Sequence, residues 1–273
     1  MAYSVLINSG SVLLLSTSLS AAIGQDALDT ILFAQLAAEE DFPDGRNHAQ
    51  WTDVFVDTLV ACGWKLHDQG TTSGMFPVAG VTVFSIQDAV RAAFQSSLSA
   101  EQIVLTASAL RRVAQLPETS VASGVFRGQS IMAVETESAS TAGHHAGNRH
   151  HRVRVLAGVI EADGFLTLAS MFFETGQPID RQFIRQEFAL SRVVGGVSTS
   201  FLHSRFSVDE YKAFREDTVL WLGSQRQALC IQVSEHTVQS PRGLRKQVAP
   251  DPGEDDLCCQ CTHEQPHQST DDL

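Results

Sequence analysis

Histidine and cysteine are the residues of this chain whose types and spacing could do chemistry. Four imidazoles, His144, His145, His150 and His151, crowd one stretch, and such pairs bind zinc, nickel or copper. A metal centre also needs a rigid frame and partners that orient each ring. Residues 139–151 are polar and hold Gly143, Gly147, Ala142 and Ala146, which predicts a solvated loop with at most adventitious metal affinity. Near the C-terminus stand Cys258, Cys259, Cys261, His263 and His267. Their chemistry suits zinc, but the Cys-Cys-x-Cys spacing and compressed span do not match the usual zinc arrangements. An accidentally Cys-rich tail is the expectation.

For nucleophilic catalysis the chain has no Gly-x-Ser-x-Gly elbow and no Gly-rich phosphate loop ending in Gly-Lys-Ser/Thr. Cys230 with His203 or His236 can be written down as a thiol and a base. A reactive thiol needs a partly exposed, electropositive site. Cys230 sits between Leu229 and Ile231, and Cys62 also lies in an apolar run, so both predict small core residues. His203 falls in a strand pattern and reads as a sheet histidine. No cofactor is implied.

The elements that must position these residues are organised around the stretch Arg152–Thr175, two strands folded about Asp163-Gly164. Asp-Gly between β-patterned runs is a strong hairpin signal, because Gly supplies positive φ without strain. Val153, Val155, Ala157 and Val159 fall on one face of the first strand, Leu156 and Ile160 on the other. On the second strand Phe165, Met171 and Phe173 oppose Leu166, Leu168 and Phe172. Strands apolar on both faces belong in the middle of a sheet covered on both sides.

Two helices, Asp26–Glu40 with Asp26 as N-cap and Ala49–Cys62 closed by Gly63, are joined by a turn at Pro43 and Gly45. Residues 68–80 read as loop and Val81–Phe84 as a short strand. Capping boxes at Ser85/Asp88 and Ser99/Gln102 open two more helices, the second stopped by Pro117. From Gly124 the period changes to two, with strands expected over Ser130–Ser138, Gln182–Val194 and Gly195–Phe206. Ser207/Glu210 opens a late helix through Leu222, and Ala228–Val233 forms a last strand.

The chain has 273 residues and a net charge of −12. Residues 251–273 hold seven acids and no Lys or Arg, leaving 24 acids against 19 bases elsewhere. No basic face is in prospect, so nucleic acid is not an expected partner. Residues 1–25 carry no charge, but Ser16, Thr17 and Ser18 break the apolar run Val12–Leu15, and no basic region precedes it. That predicts a loosely ordered lead-in or short edge strand, neither signal peptide nor membrane span. Residues 26–235 form the expected domain and 236–273 an acidic disordered tail. The expectation is a soluble protein, cytoplasmic or exported by a non-classical route. Redox compartment and oligomeric state stay open.

The order of elements resembles the single-domain layout of the Cyt cytolytic toxins and the Evf virulence factors. ILFAQLAAEEDF with WTDVFVDTLVACGW, then VRVLAGVIEADGFLTLASMFF, then SVDEYKAFREDTVLWLG carry the resemblance. It implies one α+β domain whose antiparallel sheet is flanked on both faces by helical hairpins. It also implies association with a lipid or membrane surface, without catalysis, as in a cytolysin-like virulence factor. The acyl-bearing cysteine of the Evf proteins has Cys230 and Cys62 as candidates here. The alternatives are a thiol-dependent acyl transferase or thioesterase using Cys230, and a soluble interaction module.

Overall fold

The computed structural model describes residues 2–43, 47–74, 82–94, 98–135 and 149–233. His144, His145, His236 and the acidic Cys-rich tail lie outside the described residues. The chain opens with strands β1 (Tyr3–Asn8) and β2 (Ser11–Ser16), then helices α1 (Ala21–Asp41) and α2 (His48–Ala61). Strands β3 (Trp64–Gly74) and β4 (Val83–Phe84) precede helices α3 (Ile86–Phe94), α4 (Ala100–Ala114) and α5 (Val121–Ser130). Strands β5 (Ile131–Glu135), β6 (Arg149–Ile160), β7 (Phe165–Thr175), β8 (Phe188–Ala189) and β9 (Val193–Phe206) follow. Short helices α6 (Val208–Tyr211), α7 (Arg215–Leu222) and α8 (Gln225–Leu229) lead into β10 (Cys230–Gln232).

The hairpin β6–β7 lies inside a sheet ordered β10-β1-β2-β6-β7-β9-β3. Both of its faces are covered. Val153, Val155, Met171 and Phe173 pack beneath α3, α4 and α5. Leu156, Ile160, Leu166 and Leu168 pack against α1 and α2 through Leu28, Ile31, Trp51 and Leu59. Met171, Phe173 and Leu166 are fully buried, each such side chain contributing about 1.5–3 kcal/mol. The α+β fold expected from two-faced apolarity is therefore present. The turn is longer than Asp-Gly alone: Glu161 N donates to Phe165 O, and Gly164 takes φ +81° where a Cβ would be strained.

Several expectations need correction. Residues 2–25 are no lead-in. The runs YSVLIN and SVLLLS form a buried hairpin, and β2 pairs in parallel with β6, so the sheet is mixed. Their lack of charge reflects burial in a sheet interior, where ions are costly. Ser20, not Asp26, caps α1, its Oγ accepting from Ile23 N, while Asp26 sits within the helix against Arg215. The polar stretch read as loop is in large part β3, an edge strand paired along β9. Lys65 to Gln69 are exposed at successive positions, so both faces of this stretch meet solvent and it carries no apolar alternation.

The stretch after Gly124 stays helical to Ser130, since the Ser120 cap starts a helix that two glycines do not end. Gln182–Val194 is largely turns, with the two-residue β8 pairing β4 in a separate small sheet. The late helix breaks into α6 and α7, and Ser207 makes no side-chain cap bond. The helices opened by Ser85/Asp88 and Ser99/Gln102 stand as read, the latter with both bonds of a capping box.

Candidate functional site

Strand alternation puts His150, Arg152 and Arg154 on the face of β6 that continues into Leu156 and Ile160. This polar end of the strand lies where α1 finishes and α2 begins. Phe172 stands opposite Arg154 on β7, and Glu174 opposite Arg152. On the other edge of β6, Met132 of β5 pairs with Arg152. The end of α5 is tied to the β1–β2 turn, Ser9 Oγ donating to Gln129 Oε1 at 3.2 Å. Between these elements is a cavity of about 310 Å³, walled by Leu36, Met132 and Phe172 and bounded by Glu39, Ser130, Arg152 and Arg154.

Arg154 is 7% exposed. It donates through Nη2 to Glu39 Oε1, and its guanidinium carbon lies 3.9 Å from the centroid of the Trp51 ring. Among the described residues Nη1 has no hydrogen-bond partner, and neither has the buried Oγ of Ser130. Burial raises the pKa of Glu39 above the usual carboxylate value, while the charge and hydrogen bond of Arg154 pull it back. Burial likewise lowers that of Arg154, with Glu39 opposing. His48 stacks on Phe172 at 4.4 Å, and burial, seconded by the Arg154 charge, pushes its pKa down to about 3. At neutral pH that ring is uncharged. Arg152 Nε donates to Glu174 Oε2 at 3.0 Å, and His150 Nδ1 lies 3.4 Å from Glu174 Oε1. Each arginine thus has its own carboxylate, so the lining of the cavity carries little net charge.

The residues singled out in the sequence scatter. His150 and His151 belong to β6, where alternation sends them to opposite faces, and His150 lies beside Glu174. Among the described residues no cluster of three or more His, Cys, Asp or Glu could hold a metal ion. Cys62 is buried in the α1–α2 core, and burial pushes its thiol up to about 11. Cys230 is half-buried beside Asn8, whose Nδ2 lies 3.7 Å from Sγ, and burial is the main cause of its raised pKa. His203 cannot serve it as a base. Five strand spacings, about 24 Å, separate β10 from β9, and His203 Nδ1 is within 2.9 Å of Thr167 Oγ1 on the neighbouring strand, as a sheet histidine.

Arg154, Glu39, His48 and Ser130 were not singled out by sequence reading. The signal that could have found them is the pair of arginines at alternate positions of a strand face otherwise apolar. A second feature lies on α7 and its N-cap residue Phe214. Phe214, Leu220 and Trp221 are 49%, 82% and 43% exposed, and Trp221 meets Phe33 of α1 edge-on at 4.9 Å. No protein-family model matches the chain, and no curated protein or solved structure matches it. The resemblance to the Cyt and Evf proteins rests on the order of elements alone.

Proposed function

We propose that this is a non-enzymatic lipid-interacting protein that takes one end of an amphiphilic molecule into the cavity beside Arg154. The observation that carries this reading is an apolar-walled cavity whose polar end is a buried, half-paired arginine. That combination suits a molecule with a hydrocarbon part and a polar head. The exposed side chains of α7 add an apolar surface of the kind that contacts lipid or partner proteins. No described helix is long and apolar enough to cross a membrane. The thiol-enzyme alternative has weaker support, because burial raises the pKa of Cys230 and its described hydrogen-bond partner is Asn8.

Calorimetric titration with eight-carbon amphiphiles of differing head group, alongside flotation with neutral and anionic vesicles, tests the proposal. Binding of at least one amphiphile is expected, with association to vesicles. Absence of both would leave the interaction-module reading in its place.

A further inference from the structure

Among the described side chains, five acidic ones are at least partly buried: Asp26, Asp29, Glu39, Glu161 and Glu174. Four of them have an arginine, namely Arg215, Arg226, Arg154 and Arg152 for Asp26, Asp29, Glu39 and Glu174. Glu161 has none among the described residues. Its Oε2 accepts from Tyr3 Oη at 2.8 Å and its Oε1 from Gln102 Nε2, both neutral donors. Removing a carboxylate from water without a counter-ion is costly, and neutral donors offset only part of that cost. A carboxylate offers about four lone-pair sites, so each oxygen of Glu161 still has room for a second donor.

Glu161 lines a second cavity, of about 580 Å³, between the first turns of α4, the β6–β7 turn and the start of β1. Glu101 and Asp163 line it too, both of them exposed, while Leu105 and Phe165 give it an apolar part. No Lys or Arg belongs to the lining; Arg205 stands over the Phe165 ring at 5.4 Å, outside it. The two glutamates converge on Tyr3. Burial, then the hydrogen bond and charge of Glu161, then the charge of Glu101, push its phenol up to about 12. The carboxylates are nevertheless spread out, since among the described residues no three acids, histidines or cysteines could hold one metal ion. A single point charge therefore cannot meet all three. From this arrangement we propose that the cavity binds an aliphatic diamine or polyamine, with one ammonium group on Glu161 and the next on Glu101 or Asp163. Each ammonium brings three donors and no acceptor, and the methylenes between them lie against Leu105 and Phe165. The site is separate from the cavity beside Arg154, and the proposal does not rest on the amphiphile reading.

The test is calorimetric titration of the full chain, at physiological ionic strength, with cadaverine, spermidine, pentylamine and magnesium. Cadaverine and spermidine are expected to bind roughly tenfold tighter than pentylamine or magnesium, the difference made by a second charge-assisted contact. Glu161→Gln is expected to weaken cadaverine by about tenfold on the same ground. The double variant Glu101→Gln with Asp163→Asn changes only exposed side chains, so it is expected to fold and to bring cadaverine down to the level of pentylamine. It decides the matter where Glu161→Gln does not fold. Glu216→Gln, an exposed acid on α7, is the control and is expected to leave binding unchanged. Pentylamine binding as tightly as cadaverine would remove the second contact and overturn the proposal. Magnesium binding as tightly as spermidine, or an equal loss in Glu216→Gln, would show general attraction to an acidic chain and overturn it as well. Diamine binding that survives the double variant would place the ligand elsewhere, and no binding of any amine would leave this cavity without the ligand proposed.

Discussion

The guanidinium of Arg154 lies over the ring of Trp51 and bonds Glu39, so three elements, β6, α2 and α1, meet at one buried cation. Removing the cation alone leaves the Glu39 carboxylate beside an apolar wall. Arg154→Ala is expected to destabilise by about 2–4 kcal/mol, toward the lower end for a buried pair because Glu39 is partly exposed. The double variant Glu39→Leu with Arg154→Met removes both charges and is expected to recover most of that loss. Urea denaturation of the two variants checks it, and a double variant no better than the single one would show that the charge pair itself holds the elements together.

His48 predicts a pH dependence of definite sign. Its folded pKa, about 3, lies below the ordinary value of 6.5, so the unfolded chain binds the proton first. The associated stability is fully present above pH 6.5 and falls as pH drops toward 3. By pH 4.5 the loss is on the order of 2–3 kcal/mol. Other groups titrate over the same range, so the measured quantity is the difference between the wild type and His48→Phe. The variant is expected to show the shallower fall between pH 7 and 4.5. Parallel curves would place His48 in an environment that tolerates its charge.

The two described cysteines should differ in reactivity. Cys62, with a pKa near 11 in the α1–α2 core, is expected to resist iodoacetamide until global unfolding. Cys230 is half-buried and should react slowly, faster as pH rises. Peptide mapping by mass spectrometry separates both from the three tail cysteines. Rapid alkylation of Cys230 at neutral pH would mark an activated thiol and favour the acyl-transfer alternative.

On α7, Leu220 is 82% exposed, so Leu220→Glu is expected to change stability by less than about 0.5 kcal/mol. If that surface contacts lipid, the same change should reduce vesicle flotation several-fold. Thermal melts and flotation, run on the same samples, separate folding from binding. Unchanged flotation would take α7 out of the lipid-contact surface.

Two glycines should respond oppositely to alanine. A Cβ on Gly158 would lie 2.7 Å from Leu168 Cδ1 and 3.0 Å from Thr167 O, between two packed strands. Gly158→Ala is expected to cost about 1–3 kcal/mol. Gly124 lies within α5 with nothing within 4 Å of a built Cβ. There Gly124→Ala should stabilise by about 0.5–1 kcal/mol, since alanine loses less backbone entropy in a helix. Denaturant midpoints of the two variants suffice to check both signs.

By itself the sequence determined the centre of this protein. Val153–Ile160 and Phe165–Phe173 are apolar on both faces, and that pattern admits only a strand pair covered on both sides. The caps at Ser85 and Ser99 were equally legible, because a cap is a local bond between residues three apart. Elements whose stability comes from distant partners were not. β1 and β2 are strands because β6 and β10 pair with them, and the polar β3 is a strand because β9 does. The site divides the same way. Arg152 and Arg154 could be placed on one face of β6 from their spacing alone. Only the tertiary structure decided that Glu39, His48 and Ser130, from α1, α2 and α5, would meet them. Burial and charge pairing depend on which chain segments come together in space, and local periodicity carries no record of that.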